Sequence, residues 1–396
     1  MRTYHYAVIG GGGIGSAAAY WLSRRAGSEV ICLEQWALGH PWGASEDHSR
    51  IIRLGYHSTA YTALTRDAYA AWREVEAESG VPLVHTTGMV NLAQPGTEGA
   101  GILDAYVEAM DAYEIGHERL DAEEVMRRWP QFSLADDVAG LFQPDGGILD
   151  IRRAGAVHVA LARARGATVL ANAGVSEIRP LAGGVELETA AGAVRAERVV
   201  LCAGAWTTGL LQGLGVDWPI RHTQEQVTYF ATPNVRDYAP DRFPIWIWHG
   251  EEEYYGFPVF GEVATKAAQD LGGPEVTVSE RSWEPDAMRI ERVARFAETI
   301  LPGYTGPELY TRACLYDMPP DRDFVVDRLP EEPRIAVCIG AGHAAKFAGL
   351  LGRVLAELTV DGGTAFPIDA FRADRPALTD PGFASGYRLG GATTVS

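Results

Sequence analysis

The stretch that decides the fold is YHYAVIGGGGIGSAAA, residues 4–19. It predicts a short apolar strand that leads through a glycine turn into an alanine-rich helix, and Gly10, Gly12 and Gly15 fit the pattern G-x-G-x-x-G at that turn. The first glycine of the pattern allows a tight turn, the second lets the backbone approach a pyrophosphate, and the third lets the helix pack against the strand. The amides at the helix N-terminus then face the phosphates.

A second apolar strand, residues 29–34, follows the helix and ends in the acidic Glu34, as recognition of a ribose requires. The N-terminal stretch therefore predicts a dinucleotide-binding βαβ unit. A glycine turn in another kind of βαβ unit is the alternative. The motif does not distinguish one dinucleotide from another.

Length and composition indicate an ordinary globular protein of two domains. The chain has 396 residues, of which 47% are hydrophobic and 22% are charged, and this length is large for a single core. The net charge of −18 argues against a nucleic acid or an anionic membrane as partner. No apolar run approaches the roughly 18 to 20 residues of a membrane span, and the N-terminus lacks a signal-peptide pattern. We therefore expect a cytoplasmic protein.

Cysteines and lysines are few, and their positions are informative. No C-x-x-C pair occurs among the four cysteines, so neither a zinc site nor a redox dithiol is predicted; they are Cys32, Cys202, Cys314 and Cys338. The basic residues are 32 arginines and only two lysines, Lys266 and Lys346. A lysine ammonium is a compact point charge that a guanidinium does not replace, so both positions are candidates for chemistry. The alternative for each is a solvated surface residue.

The rest of the chain predicts an α/β fold with an α+β second domain. From residue 220 onward, aromatic-rich segments alternate with period two, which is typical of an antiparallel sheet. Residues 334–360 return to a buried strand, a glycine turn and a helix. We predict a Rossmann-like dinucleotide domain (residues 1–82, 145–218 and 328–372) with an inserted substrate domain of mixed or antiparallel sheet (83–144 and 219–327). The Pro- and Gly-containing tail, 373–396, is predicted to be poorly ordered.

Assembled in this way, the chain resembles the monomeric sarcosine oxidase and N-methyltryptophan oxidase family of FAD enzymes over residues 4–372. The motifs that carry the resemblance are G-x-G-x-x-G, SRIIR at 49–53, YYGFP at 254–258, ACLY at 313–316 with DFVVD at 323–327, and GHAAKF at 342–347. The resemblance implies a monomeric flavin-dependent amine oxidase with a FAD-binding α/β domain and a mixed-sheet substrate domain.

The resemblance also implies how FAD is held. Cys314 matches the cysteine that carries the flavin through a thioether to its 8-methyl group, although its pattern alone suits a small buried residue. Arg50 matches an arginine packed on the flavin ring, the alternative being a salt bridge in the loop that contains Asp47. His343 would either contact the flavin or brace the backbone. The other implied cofactor contacts are Gly10, Gly12, Ile14, Gly15, Glu34, Gln35, Ser45, Val175, Ala203, Gly204, Trp206, Gly342, Ala344 and Lys346.

The remaining matched residues concern the reaction. Lys266 matches a lysine that promotes the reduction of oxygen, where a fixed ammonium stabilises developing negative charge. Lys346 and Arg53 match the pair that binds the substrate carboxylate, with each charge-assisted hydrogen bond worth ~1.5–3 kcal/mol. Tyr255 and Tyr316 match aromatic residues that line the substrate cavity, for which core packing is the alternative.

Several departures from the family pattern concern the substrate. Asp270 stands where the family has a histidine that lines the substrate site, and Ala345 replaces a bulky phenylalanine beside the carboxylate lysine. The loop at residues 45–48 also differs from the family's His-His-Gly-Asp. If Ala345 and the run at 246–248 line the site, the substrate is bulkier than sarcosine.

Our main hypothesis is FAD-dependent oxidation of the C–N bond of a secondary amino acid, N-methylated or similar, to an imine, with O2 reduced to H2O2. No metal is predicted to take part. The first alternative is an oxidase or desaturase of a cyclic imino acid of pipecolate type in a biosynthetic pathway, which Asp270 motivates. Two others are a flavin dehydrogenase that passes electrons to a protein and a NAD-dependent dehydrogenase that uses the same glycine motif.

Overall fold

The structure, a computed structural model, describes residues 2–45 and 47–387; Glu46 of the predicted polar loop and residues 388–396 of the predicted tail lie outside the described residues. The strands are β1 Thr3–Ile9, β2 Val30–Leu33, β3 Arg50–Ile52, β4 Val84–Thr86, β5 Met89–Ala93, β6 Glu118–Asp121, β7 Ala139–Gln143, β8 Gly147–Leu149, β9 Thr168–Leu170, β10 Val175–Leu181, β11 Gly184–Thr189, β12 Val194–Leu201, β13 Arg221–Phe230, β14 Ile245–His249, β15 Glu253–Phe257, β16 Thr265–Gln269, β17 Glu308–Met318, β18 Val325–Arg328 and β19 Ile335–Ile339. The helices are α1 Gly13–Ala26, α2 Thr59–Ser79, α3 Ile102–Ala112, α4 Ala122–Arg128, α5 Ile151–Ala164, α6 Thr207–Gly213, α7 Ala287–Ile300, α8 Ala348–Val360 and α9 Pro376–Thr379.

The predicted βαβ unit lies at the centre of the first sheet. Its strand order is β10-β11-β12-β1-β2-β9, with β19 joined to the C-terminal half of β12 and β18 paired to β19. Strands β9, β2, β1, β12 and β19 run parallel. Because helices cover a parallel sheet, β2 and β19 are buried along their whole length. Helices α1, α2, α5 and α8 contribute to the core on one face.

The second sheet has the order β17-β13-β16-β15-β14-β5-β7-β6. All of its neighbours are antiparallel except β14 and β5, so the predicted mixed sheet is confirmed. Helix α7 packs on one face through Val293, Ala297 and Ile300, together with buried aromatic residues. A small third sheet, β3-β8-β4, is also present. The opposite face of the second sheet is therefore left for a site.

The division into domains stays a prediction. The parallel strands of the first sheet come from the three pieces assigned to the dinucleotide domain. All strands of the second sheet come from the two pieces assigned to the substrate domain. Strand β18 crosses the predicted boundary at 327/328 and pairs with the first sheet. In the described part of the chain, no helix has both the length and the apolar character needed to cross a bilayer.

The prediction of a poorly ordered tail is wrong as far as residue 387. Ala373 and Leu378 are buried in the core on the other face of the first sheet. Arg375 donates two hydrogen bonds to the Asp321 carboxylate, at 2.6 and 2.9 Å. Burial of apolar side chains and a paired arginine hold this segment, which outweighs the Pro and Gly content that motivated the prediction.

Candidate active site

A cavity of about 990 Å³ is lined by residues of both large sheets. Of the predicted site residues, only Gly15 is not part of its wall. Those that line it are Gly10, Gly12, Ile14, Glu34, Gln35, Ser45, Arg50, Arg53, Val175, Ala203, Gly204, Trp206, Tyr255, Lys266, Asp270, Cys314, Tyr316, Gly342, His343, Ala344 and Lys346. Residues that are more than 300 positions apart in sequence therefore share one cavity.

The glycine turn between β1 and α1 forms one end of this cavity. Gly10 has φ +94°, and a β-carbon there would lie 2.4 Å from the Cys202 carbonyl oxygen. A β-carbon on Gly15 would lie 1.9 Å from the Gly10 carbonyl oxygen. Both positions therefore require glycine. Gly15 acts from behind the turn by letting the helix approach the strand, while Gly12 faces the cavity.

Glu34, at the end of β2, is a buried carboxylate held by its surroundings. It accepts hydrogen bonds from the amides of Gly11 at 2.7 Å and Trp36 at 2.9 Å, and His40 Nε2 lies 3.1 Å away. Burial by itself would raise the pKa of Glu34, but His40 and the two amides more than offset it and lower the pKa. The carboxylate is therefore ionised and fixed beside the glycine turn.

Lys266 is fully buried on β16, so the surface alternative for this lysine is wrong. Its ammonium donates to Asp47 Oδ2 at 2.6 Å, to the Ser49 carbonyl at 2.8 Å and to Ser49 Oγ at 3.1 Å. It also lies 4.4 Å from the centre of the Phe257 ring. Burial lowers the pKa of Lys266 to about 8, although the Asp47 carboxylate acts in the opposite direction.

Asp47 connects the two residues predicted to be catalytic. Its Oδ2 also accepts from Arg50 at 2.9 Å, and its Oδ1 accepts from the Tyr229 hydroxyl. Burial favours the protonated acid, but Lys266 and Arg50 outweigh it and hold the pKa of Asp47 well below its usual range. Arg50 therefore forms the predicted salt bridge and lines the cavity as well. The position of Asp47 close before Arg50 suggested their contact, whereas nothing in the sequence indicated the contact with Lys266.

Cys314 lies on β17, directly opposite Glu225 of β13. Its sulfur forms no disulfide, and the residue lines the cavity. Burial raises the pKa of the Cys314 thiol to about 11, although the Arg50 guanidinium acts against this shift. The thiol is therefore protonated at neutral pH in the protein alone.

Arg53 and Lys346 face the cavity, and no carboxylate of residues 2–45 or 47–387 pairs with either of them. The Arg53 guanidinium stacks 4.4 Å from the centre of the Tyr56 ring, and its Nε is buried with no hydrogen-bond partner among the described residues. The Lys346 ammonium lies 5.4 Å from the same ring and, within the described part of the chain, donates a hydrogen bond only to the His343 carbonyl, at 3.2 Å. Burial, and then Arg53, lower the pKa of Lys346. Two neighbouring cations with unmet hydrogen-bonding capacity suit an anionic group.

Asp270 is paired with Arg322 at 2.6 Å. Arg322 comes from the loop between β17 and β18, and no sequence pattern pointed to it. His343 Nε2 donates to the Arg322 carbonyl at 3.1 Å, and its ring packs against Phe324. Burial, followed by Lys346, lowers the pKa of His343 well below 6.5. His343 is therefore neutral and braces the loop that carries Arg322.

The expectation that the run at 246–248 lines the site is wrong for both tryptophans. Side chains alternate along β14, so Ile247 faces the cavity while Trp246 and Trp248 point to the other face and pack near Phe296 of α7. Ala345 does line the cavity. Neither tryptophan therefore supports a substrate bulkier than sarcosine, whereas Ala345 does.

The residues present fit a flavin dinucleotide. The helix N-terminus and Glu34 offer amides and a carboxylate to phosphate and ribose groups at one end. Cys314, Lys266 and Arg50 lie along the same cavity, as a group attached to that dinucleotide would require. The buried Arg53 Nε has no hydrogen-bond partner in the described ranges, which indicates that a further polar group is accommodated beside it.

Comparison with known proteins agrees with this arrangement. Residues 5–358 match the family model described as FAD dependent oxidoreductase. The chain is 32% identical to the monomeric sarcosine oxidase of Streptomyces avermitilis over 385 residues, which cover 95% of this chain and 98% of that protein. It is also 32% identical to the N-methyl-L-tryptophan oxidase of Escherichia coli, with 94% and 99% covered.

Solved structures lead to the same family. The open form of NikD, an unusual amino acid oxidase essential for nikkomycin biosynthesis, superposes with a TM-score of 0.84 at 28% identity, covering 94% of this chain and 98% of that one. The resemblance and the fold class inferred from the sequence are thus confirmed. With a family match over most of its length and relatives that are 32% identical from end to end, this chain belongs to the FAD dependent oxidoreductase family.

Proposed function

We propose that the protein oxidises the C–N bond of a secondary amino acid, N-methylated or similar, to an imine and reduces O2 to H2O2. The observation that carries the proposal is one cavity that joins a dinucleotide cradle to the buried ammonium of Lys266 and to Arg53 and Lys346, which form no ion pair with any described carboxylate. The names of the relatives, sarcosine oxidase and N-methyl-L-tryptophan oxidase, support this reaction type. We expect a monomer whose partners are the substrate and oxygen.

Binding of the substrate is assigned to the cationic pair. Arg53 and Lys346 would hold the carboxylate, with each charge-assisted hydrogen bond contributing ~1.5–3 kcal/mol. Tyr255 and Tyr316, which line the cavity, would flank the substrate. When bound, FAD supplies the two-electron acceptor that takes a hydride equivalent from the carbon beside nitrogen and passes the electrons to oxygen. Fixing the carboxylate positions that carbon, which is the contribution of the protein to this step.

Lys266 is assigned to the reaction with oxygen. Its ammonium is held by three hydrogen bonds and cannot turn away, so it is a preorganised positive charge at the cavity wall. A fixed cation stabilises the negative charge that develops as oxygen is reduced. Its only direct carboxylate partner among the described residues, Asp47, also binds Arg50, so the three groups together retain one positive charge.

The two lysines provide a matched experiment. In Lys266→Met, anaerobic reduction of the flavin by substrate should continue while reoxidation by O2 slows by about 10²-fold or more. In Lys346→Met, KM should rise and reoxidation should stay fast, because the carboxylate loses one of its two partners. Stopped-flow absorbance measures both half-reactions. If Lys266→Met slows both half-reactions equally, its assignment is incorrect.

The thioether is proposed at Cys314. Acid precipitation of the wild-type protein should leave the yellow colour in the pellet, and Cys314→Ala should release it to the supernatant. Cys338→Ala, which removes another buried thiol from the cavity wall, serves as the control and should keep a yellow pellet. A yellow supernatant from the wild type would mean that FAD is bound without the thioether.

A second candidate is the oxidation of a cyclic imino acid. It is favoured by the Asp270–Arg322 ion pair, which occupies the wall where the family has a histidine. The similarity to NikD, named an unusual amino acid oxidase, points in the same direction. Peroxide release from N-methyl amino acids and from cyclic imino acids, measured on one preparation, distinguishes the two candidates by which class has the higher kcat/KM.

A further inference from the structure

The cavity face of the second sheet extends well beyond the residues assigned to the reaction. On β15, side chains alternate, so Glu253 faces the cavity together with Tyr255 and Phe257. Phe257 pairs with Lys266 of β16, and Glu253 lies four residues farther along. At about 3.3 Å per residue, Glu253 lies about 13 Å along the strand from the Lys266 end.

Three polar residues from adjacent strands form this far end. His249, at the end of β14, is paired with Glu253, and the amide of Asp270 donates to the Glu253 carbonyl at 2.9 Å. All three line the cavity, and Tyr106 of α3 packs beside His249 with 6.0 Å between the rings. We call His249, Glu253, Asp270 and Tyr106 the distal end of the cavity.

Glu253 is the carboxylate that this end offers to a ligand. Its Oε2 lies 3.1 Å from His249 Nδ1, and His249 is itself held by Asn91 at 3.1 Å. The described residues donate no hydrogen bond to Oε1, and 39% of the side chain is exposed to the cavity. Burial alone would raise the pKa of Glu253, but His249, Arg322 and Arg53 lower it to about 2, so it is ionised.

The other charges at this end are already committed. Asp270 is bound by Arg322 at 2.6 Å. Arg53 and Lys346 lie more than 4 Å from any described carboxylate, and the proposed function gives them the substrate carboxylate. A substrate that brought only a carboxylate would leave Glu253 Oε1 in the cavity without a hydrogen-bond donor from the described residues. A second, positively charged group on the substrate would donate a hydrogen bond to this carboxylate oxygen.

We propose that the substrate is a secondary amino acid with a basic side chain, whose ammonium or guanidinium group is bound by Glu253 while Arg53 and Lys346 hold its α-carboxylate. This inference rests on the proposed function and names its substrate class. His249 is a positioning residue, because its Nδ1 lies 3.1 Å from Glu253 Oε2 while its Nε2 is held by Asn91.

A pair of substrates with the same carbon chain tests the inference. Nα-methyl-L-lysine and N-methyl-L-norleucine differ only in the terminal ammonium. The wild-type enzyme should favour the lysine derivative by 10- to 100-fold in kcat/KM, as expected for a hydrogen bond between charged groups. Glu253→Gln should bring this ratio close to one by raising KM for the lysine derivative while leaving kcat unchanged. A wild-type ratio of one or below, or a ratio that survives in Glu253→Gln, overturns the inference.

The neighbouring glutamate supplies the control. Glu252 bonds to the Tyr254 hydroxyl and lies 3.8 Å from Arg292 of α7, on the other face of the sheet. Glu252→Gln should therefore keep the wild-type substrate ratio, and an equal loss in both variants would contradict a role for Glu253 in recognition. Glu253→Asp, with a shorter reach, repeats the test if Glu253→Gln unfolds at a lower temperature.

Ligand binding separates this inference from the proposed function. The dissociation constants of L-lysine and L-norleucine are measured anaerobically through the change that each causes in flavin absorbance. Tighter binding of L-lysine that is lost in Glu253→Gln supports recognition of a cation, even if no N-methyl amino acid is oxidised and the proposed function fails. Equal binding of both compounds overturns the inference, even if N-methyl amino acids are good substrates.

Discussion

His158 of α5 should make the protein less stable at acid pH. Its side chain is fully buried between Tyr20 and Trp72, with 5.5 Å from its ring centre to each of theirs. Ser16 Oγ lies 3.4 Å from Nδ1, and Nε2 has no partner among the described residues. Burial lowers the pKa of His158 from 6.5 to about 3.

The sign and size of the effect follow from this pKa. The unfolded chain binds a proton at this position below pH 6.5, whereas the folded chain does so only near pH 3. The stability that neutral, buried His158 contributes to the folded state is therefore fully present above pH 6.5 and is lost as the pH falls toward 3. One pKa unit corresponds to about 1.4 kcal/mol, so the loss is about 2 kcal/mol at pH 5 and approaches about 5 kcal/mol near pH 3.

Replacement of His158 by phenylalanine isolates this contribution. The variant His158→Phe keeps an aromatic ring between its two neighbours but cannot titrate. Urea unfolding of the FAD-loaded protein at pH 8 and pH 5 should show that the wild type loses about 2 kcal/mol more than the variant. His5→Gln, at a side chain that is 53% exposed, should behave like the wild type. Equal pH dependence in the wild type and in His158→Phe would refute the reasoning.

Three further predictions concern the site and the tail. Gly15→Ala should lose most of its bound FAD and about 2–3 kcal/mol of unfolding free energy, because its β-carbon would overlap the Gly10 carbonyl; an unchanged ratio of flavin to protein absorbance would contradict this. Asp47→Asn should lower the free energy of unfolding by about 3–5 kcal/mol, because it leaves the buried Lys266 ammonium beside a neutral amide. The double variant Asp47→Asn/Lys266→Met should recover most of this loss, because the ammonium is gone; additive losses in urea unfolding would speak against the coupling. A chain that ends at residue 372 should melt several degrees lower, because it loses the packing of residues 373–387; an unchanged unfolding temperature would show that this packing contributes nothing.

Part of the site could be inferred from local patterns, and part could not. Glu253 shares the two-residue period of Tyr255 on β15, so alternation from a residue already assigned to the cavity would have found it. The same rule would have directed Trp246 and Trp248 away from the cavity, because Ile247 lies between them. Arg322 had no such signal, because it lies in an irregular loop.

The sequence by itself determined those features that depend only on residues close together in the chain. The requirement for glycine at Gly10 and Gly15, the parallel strands on either side of the turn, and the family motifs all follow from short stretches whose geometry is nearly invariant. The two lysines could be singled out by composition alone, because arginine carries almost all of the other positive charge.

Only the tertiary structure decided which charges meet. Asp47 and Lys266 are 219 residues apart, and their 2.6 Å contact depends on the loop before β3 reaching strand β16 of the second sheet. The same applies to Asp270 with Arg322. The strength of an ion pair depends on distance and burial, which a linear pattern does not contain. The sequence alone therefore identified the residue types that carry the chemistry, whereas the fold determined which of these residues contact one another.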